Sequence, residues 1–284
     1  MPTSEVLGPS LSMGAVELNV RDMEAMERFY TSVIGLKILQ KEEGVLRLGM
    51  QSTPIVTLHY TPDLESAFPG DAGLYHLAIV FSSRGALVEA LRRVFEKAPH
   101  FFSGSADHLV SEAFYLSDPE GNGVELYYDR DSSEWQWENG LVKMASIYIS
   151  PHEYIRLHSS GKMEDASAKI GHVHLKVGSV GKAREFYVDI VGFTITALMP
   201  SALFVSIGGY HHHLGMNTWE SEVATERRES LGLRSFECIL QNSEQLDSLA
   251  ARLEKVGVLV QKTDKSIEFD DPWKNRFRIR VGLT

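Results

Sequence analysis

A segment near the start of this chain returns 157 residues later, and that repeat limits the fold more than any other feature. Gly14-Ala15-Val16-Glu17-Leu18-Asn19-Val20 recurs as Gly171-His172-Val173-His174-Leu175-Lys176-Val177, Phe29-Tyr30 as Phe186-Tyr187, and Gly35-Leu36 as Gly192-Phe193, all at one offset. A constant period means that one structural unit has been copied. Each copy reads as a strand, a helix and further strands. Val16, Leu18 and Val20 alternate as a half-buried strand does. Asp22 is an N-cap for apolar positions at helical spacing from Met23 to Tyr30. The glycine after each Phe-Tyr pair suits a left-handed helix end.

A weaker repeat follows. Strand-like Leu74 to Val80 leads to an amphipathic helix over Ala86 to Glu96, as Leu233 to Leu240 leads to Leu246 to Lys255. Asp118-Pro119-Glu120-Gly121-Asn122 is echoed by Asp271-Pro272-Trp273-Lys274-Asn275. The chain thus divides into four βαβββ modules, at 12–62, 73–130, 169–219 and 232–283, an α+β organisation in two halves, 12–130 and 169–284. Between the halves, 131–168 forms a polar connector holding Ser159-Ser160-Gly161.

Hydrophobic content of 43% with 23% charge fits a globular chain. The formal charge of -10 argues against nucleic acid or an anionic membrane as the main partner. Cys238 is the single cysteine, so no intrachain disulfide forms; it reads as a buried strand residue and favours a reducing compartment. Met1-Pro2-Thr3-Ser4-Glu5 has no basic character and no long apolar stretch follows, so a cytoplasmic location is expected. A homo-oligomer is compatible with this sequence, which does not fix one.

Of the eleven histidines, His59, His100, His152 and His158 fall in loops or strand ends and read as solvated or structural. His76 lies in the first strand of the second module, and Glu125 in its last, between Val124 and Leu126, where an unpaired carboxylate is costly. His172 opens the first strand of the third module. Two neutral imidazoles and a carboxylate on adjacent strands occupy one face of an octahedron and leave three positions open, as non-haem iron(II) oxygenases require; metal selection depends partly on availability, so manganese stays an alternative. In the fourth module the places of His76 and Glu125 fall on Ser235 and Arg278, and in the first that of His172 falls on Ala15. The candidate ligands are thus confined to the two middle modules. His174 shares a strand face with His172 and is its alternative.

From His108 to Glu125, the run His108-Leu109-Val110-Ser111-Glu112-Ala113-Phe114-Tyr115-Leu116-Ser117-Asp118-Pro119-Glu120-Gly121-Asn122-Gly123-Val124-Glu125 resembles the signature of extradiol ring-cleavage dioxygenases, with one minor departure at Ala106. The paired modules resemble the vicinal-oxygen-chelate superfamily, which also holds glyoxalases and antibiotic-resistance proteins, and the run Gly209 to Leu214 looks most like the bacterial catechol 2,3-dioxygenase type. That resemblance implies two open β-barrels with helices outside, Fe(II) on His76, Glu125 and His172, and a small aromatic diol and O2 as substrates. It makes His213 the acid-base histidine beside the oxygen site, and His108 and Tyr115 the pair that hydrogen-bonds substrate. His212, pointing away from His213, reads as structural. Phe204, Trp219, Phe114 and Tyr127 are either pocket lining or core.

In the usual dioxygenase the last two modules hold the site, whereas here the second bears the motif that the fourth normally bears. Modules two and three are therefore expected to close into the active barrel; pairing of one with two and three with four would strand His172 far from His76. Two other functions share this fold. A glyoxalase-type lyase or isomerase commonly adds a second carboxylate as base, and a non-catalytic binding protein usually lacks the metal trio.

Overall fold

The computed structural model describes residues 7–8, 10–159 and 167–282; Met1 to Glu5 and the Ser160-Gly161 part of the connector lie outside them. The first module contributes β1 (Leu11–Val20), β2 (Lys37–Glu42), β3 (Val45–Met50) and β4 (Thr53–Tyr60), and the second β5 (Gly73–Phe81), β6 (Phe102–Asp107), β7 (Ser111–Ser117) and β8 (Gly123–Asp129). The connector is more ordered than its polarity suggests. It holds a two-stranded ribbon, β9 (Trp137–Glu138) with β10 (Leu141–Val142), and a helix, Pro151–His158, capped by Ser150. Then come β11 (Ala168–Lys176), β12 (Thr194–Met199), β13 (Ala202–Ser206) and β14 (Leu214–Asn217), followed by β15 (Gly232–Leu240), β16 (Gln261–Lys262), β17 (Ser266–Asp270) and β18 (Arg276–Val281).

These strands form two eight-stranded sheets, ordered β16-β17-β18-β15-β1-β4-β3-β2 and β12-β13-β14-β11-β5-β8-β7-β6. Each module closes by pairing its first strand parallel to its last, and each sheet closes across an antiparallel seam, β1 with β15 and β5 with β11. The inner two modules thus share one sheet and the outer two the other. This is the curled, paired-half-barrel α+β architecture that the repeat and the resemblance imply. No helix among the described residues is long and apolar enough to cross a membrane.

The repeated residues mark the same physical features twice. Asp22 accepts from the Ala25 amide at 2.9 Å, as a cap should. Each first helix then widens into a π-helical turn, Phe29–Ile34 or Glu185–Val191, and ends on Gly35 (φ 98°) or Gly192 (φ 103°), in the left-handed region where glycine has no Cβ penalty. Tyr30 Oη donates to Asp118 at 3.2 Å and Tyr187 Oη to Asp271 at 2.8 Å, so the two weaker repeats are hydrogen-bonded to the two stronger ones. The second-helix repeats run from Arg84–Lys97 and Ser243–Lys255, capped by Ser83 and Asn242. Gly14 and Gly171 both lie where the seam register shifts. Buried Cys238 rests its thiol against the Met13 sulfur at 3.5 Å.

Candidate metal centre

The inner sheet sets four residues side by side across four strands. His172 on β11 is opposite Ala78 on β5, Ala78 is opposite Glu125 on β8, and Glu125 is opposite Tyr115 on β7. His76 lies two residues along β5 from Ala78, on the same face. Because Ala78 carries only a methyl group, the longer side chains on either side meet over it. His76 Nε2 is 3.0 Å and His172 Nε2 is 3.2 Å from Glu125 Oε2, and the two nitrogens are 3.4 Å apart. All three residues are buried, and their ligand atoms lie within 4.8 Å of one another.

This donor set fits a divalent cation. Two imidazole nitrogens facing each other at 3.4 Å both turn to one carboxylate oxygen, and their lone pairs converge once each ring carries its proton on the other nitrogen. Burial pushes the Glu125 carboxyl up, but His172 and then His76 outweigh it and hold it well below its ordinary range, so it is ionised. Burial lowers the His172 imidazole, the direction that favours the neutral form a metal ligand needs. His174 is engaged elsewhere: the Asn217 amide donates to its Nε2 at 3.0 Å, and its ring stands edge-on to His76, centroids 4.9 Å apart.

His108 and Tyr115 come together beside this trio. His108 Nδ1 donates to the Ala145 carbonyl at 2.6 Å, which leaves Nε2 to accept from Tyr115 Oη at 2.5 Å. The Tyr115 ring is 5.7 Å from that of His76. Ala145 belongs to the connector, so the connector fixes the tautomer of His108. Ala106 faces Ala113 across β6 and β7 without irregularity.

His213 is not among the three converging donors. Its Nδ1 lies 2.8 Å from Ser206 Oγ, and it lines a cavity of about 260 Å³ with Ser10, Met13, Lys169 and Ile170. Burial above all, then His211, holds its pKa down to about 3. The neighbour expected to be structural, His212, packs against His172 instead, the two rings tilted by 51° with centroids 4.1 Å apart. His211 and Asp129, which the sequence reading passed over, lie behind His212.

Of the four aromatics, Phe114 is core, packed on Tyr154 at 4.9 Å. Tyr127 is 5.0 Å from His172, Phe204 is 5.1 Å from His212, and half-exposed Trp219 is 5.5 Å from His174, so these three ring the histidines. In the outer sheet the corresponding place holds ion pairs. Glu17 takes Arg278 at 3.1 Å and His59 at 2.9 Å, which gives His59 a partner that sequence alone did not supply.

A duplicated half-barrel with one buried two-histidine, one-carboxylate centre defines a class of protein, and comparison with known sequences agrees. Residues 12–126 and 169–279 match the Glyoxalase/Bleomycin resistance protein/Dioxygenase superfamily, and the chain belongs to it. It is 35% identical over 270 residues to a catechol-2,3-dioxygenase of Bacillus subtilis (strain 168), covering 92% of this chain and 93% of that one. It is 28% identical over 143 residues to biphenyl-2,3-diol 1,2-dioxygenase 2 of Rhodococcus globerulus, covering 49% and 70%. In fold it resembles glyoxalase I from Zea mays, with a TM-score of 0.58 at 13% identity over 96% of this chain and 92% of that one.

Proposed function

We propose that this protein is an extradiol dioxygenase that opens the ring of a catechol-type diol with O2, using Fe(II), or Mn(II) in its place, on His76, His172 and Glu125. The convergence of two buried imidazoles and one ionised carboxylate within 3.0–3.4 Å carries the reading, and the Bacillus subtilis relative supports it. When bound there, the metal supplies a Lewis acid for the diol hydroxyls and electrons for dioxygen, with open positions for both.

The chain's own residues do the rest. Tyr115 Oη, 2.5 Å from His108 Nε2 and also hydrogen-bonded towards Glu125, presents its hydroxyl to the diol and orients the ring. His212, packed against His172, takes the place the resemblance gives to His213: its Nε2 has no partner among the described residues and serves as the proton acceptor and donor. Burial of the trio excludes water from the reacting atoms.

The test is anaerobic loading with Fe(II) followed by an oxygen-electrode assay over a panel of catechols. Stoichiometric oxygen uptake with a ring-opened semialdehyde product is expected. No uptake with any catechol from the iron-loaded chain, or a His76→Ala variant with full iron and full activity, would overturn the assignment.

A further inference from the structure

Behind His212 runs a line of polar groups that metal binding does not use, buried at His211 and Tyr127 and part-exposed at Asp129 and Tyr210. His212 Nδ1 is 2.8 Å from His211 Nδ1, and His211 Nε2 is 2.7 Å from Asp129 Oδ1. The other Asp129 oxygen accepts from Tyr210 Oη at 2.8 Å, and Tyr210 Oη is in turn 2.8 Å from Tyr127 Oη. Packing holds the row in place. His211 is fully buried, its ring 5.1 Å from Trp135 of the connector and 4.1 Å from Tyr210. Tyr127 is wedged so closely against Gly171 that any Cβ there would lie 1.7 Å from its hydroxyl.

Hydrogen-bond bookkeeping gives this row a direction. A carboxylate only accepts, so His211 Nε2 must carry the proton that faces Asp129. In an uncharged ring, Nδ1 of His211 is then an acceptor. The nitrogen facing it, Nδ1 of His212, must be the donor. One proton position remains in His212, and it is the empty one: Nε2 presents a lone pair.

We propose that Asp129 and His211 are positioning residues that fix the tautomer of His212, so that its Nε2 faces the centre as a base. Among the described residues Asp129 bonds to His211 and Tyr210 and to none of the three candidate ligands, so it acts through two imidazoles in series. Without it both rings are free to exchange tautomers, and the fraction of His212 able to accept a proton falls. The inference rests on the dioxygenase reading for its consequence, but the tautomer itself does not depend on that reading.

The primary test needs no variant. Nitrogen-15 NMR of the full chain, loaded with zinc as a diamagnetic probe, distinguishes the two neutral tautomers of His212. The Nδ1–H form is expected, and an Nε2–H form overturns the proposal. In Asp129→Asn and His211→Phe chains, the His212 signal should move to a mixture or to the Nε2–H form. With iron and catechol, kcat should drop about tenfold or more while KM and iron content stay within about threefold. A role in folding alone would lower iron content and melting temperature and leave the kcat of the loaded fraction intact, which also overturns the proposal. If His212→Phe keeps full kcat while wild-type His212 is the Nδ1–H tautomer, the acid–base reading fails and the tautomer assignment stands.

Discussion

Gly171→Ala is a small substitution with a large expected effect, because it acts on two features at once. The added Cβ would lie 1.7 Å from Tyr127 Oη, 2.8 Å from its Cζ and 3.1 Å from Val80 Cγ1. The hydroxyl would have to retreat by about 1.5 Å to regain ordinary contact distance. Tyr127 has no room for that, being fully buried against Ala78 and Ala113. Overpacking of this kind costs about 1–3 kcal/mol. A retreat also breaks the 2.8 Å bond to Tyr210 Oη, and an orphaned buried hydroxyl costs about 1–3 kcal/mol more. Urea denaturation of the metal-free chain should therefore show a loss of about 2–6 kcal/mol. Tyr127→Phe removes the atom that clashes hardest. The double variant should accordingly recover at least about 1 kcal/mol relative to the sum of the two single changes. A Gly171→Ala chain within about 0.5 kcal/mol of wild type, or a strictly additive double variant, would refute the close-approach argument.

Two further outcomes follow. His213 is held at about 3 in the folded chain against 6.5 in the open one, so its contribution is complete above pH 6.5 and is lost as pH falls towards 3; about 2 kcal/mol of it is gone at pH 5. His213→Asn should flatten the fall in unfolding free energy between pH 7 and pH 5 by that amount, and an unchanged slope contradicts the assignment. Glu125→Gln removes the charge that both imidazoles face. Its metal affinity, read by chelator competition, should drop by more than the roughly 10–100-fold typical of losing a group that merely supports a ligand, and a smaller drop argues against direct ligation.

What was legible in the sequence was whatever a regular period encodes. The 157-residue offset marks four modules, and confinement of the candidate ligands to the middle two anticipates the β5–β11 seam. Helix caps and glycine ends were readable because each has a local cause, Asp22 and Gly35 being examples. The run His211 to His213 shows where regularity stops. Parallel pairing sets Val173 opposite Leu214 and His174 opposite Gly215. Continuing that register by one residue would bring His213 beside His172. The chain is not strand there: β14 begins at Leu214, after a turn in which Gly208 and Gly209 have φ of 71° and 77°, and a one-residue slip exchanges the two faces. The connector was hidden for a different reason. Its short ribbon and eight-residue helix owe their order to packing on other elements, as when Tyr154 Oη donates to buried Glu112 at 2.8 Å.

The outer sheet repeats the fold without repeating the chemistry, and its charges explain how. Where the inner sheet has Glu125, the outer has Arg278, a fixed cation that pairs with Glu17 at 3.1 Å and with Glu268 at 2.6 Å. A site that carries its own guanidinium satisfies its carboxylates internally, leaving no converging set of free donors for a metal. The first module nonetheless reaches the inner site through its helix. Tyr30, on the first helix, holds Asp118, which also accepts from the Glu120 and Asn122 amides at 3.0 and 2.9 Å. That turn leads directly into β8, so the bond from Tyr30 fixes the end of the strand that carries Glu125. Tyr187 and Asp271 make the matching clamp on the turn before β18. Duplication thus preserved the clamp in both halves while the ligands were kept only where β5 and β11 meet.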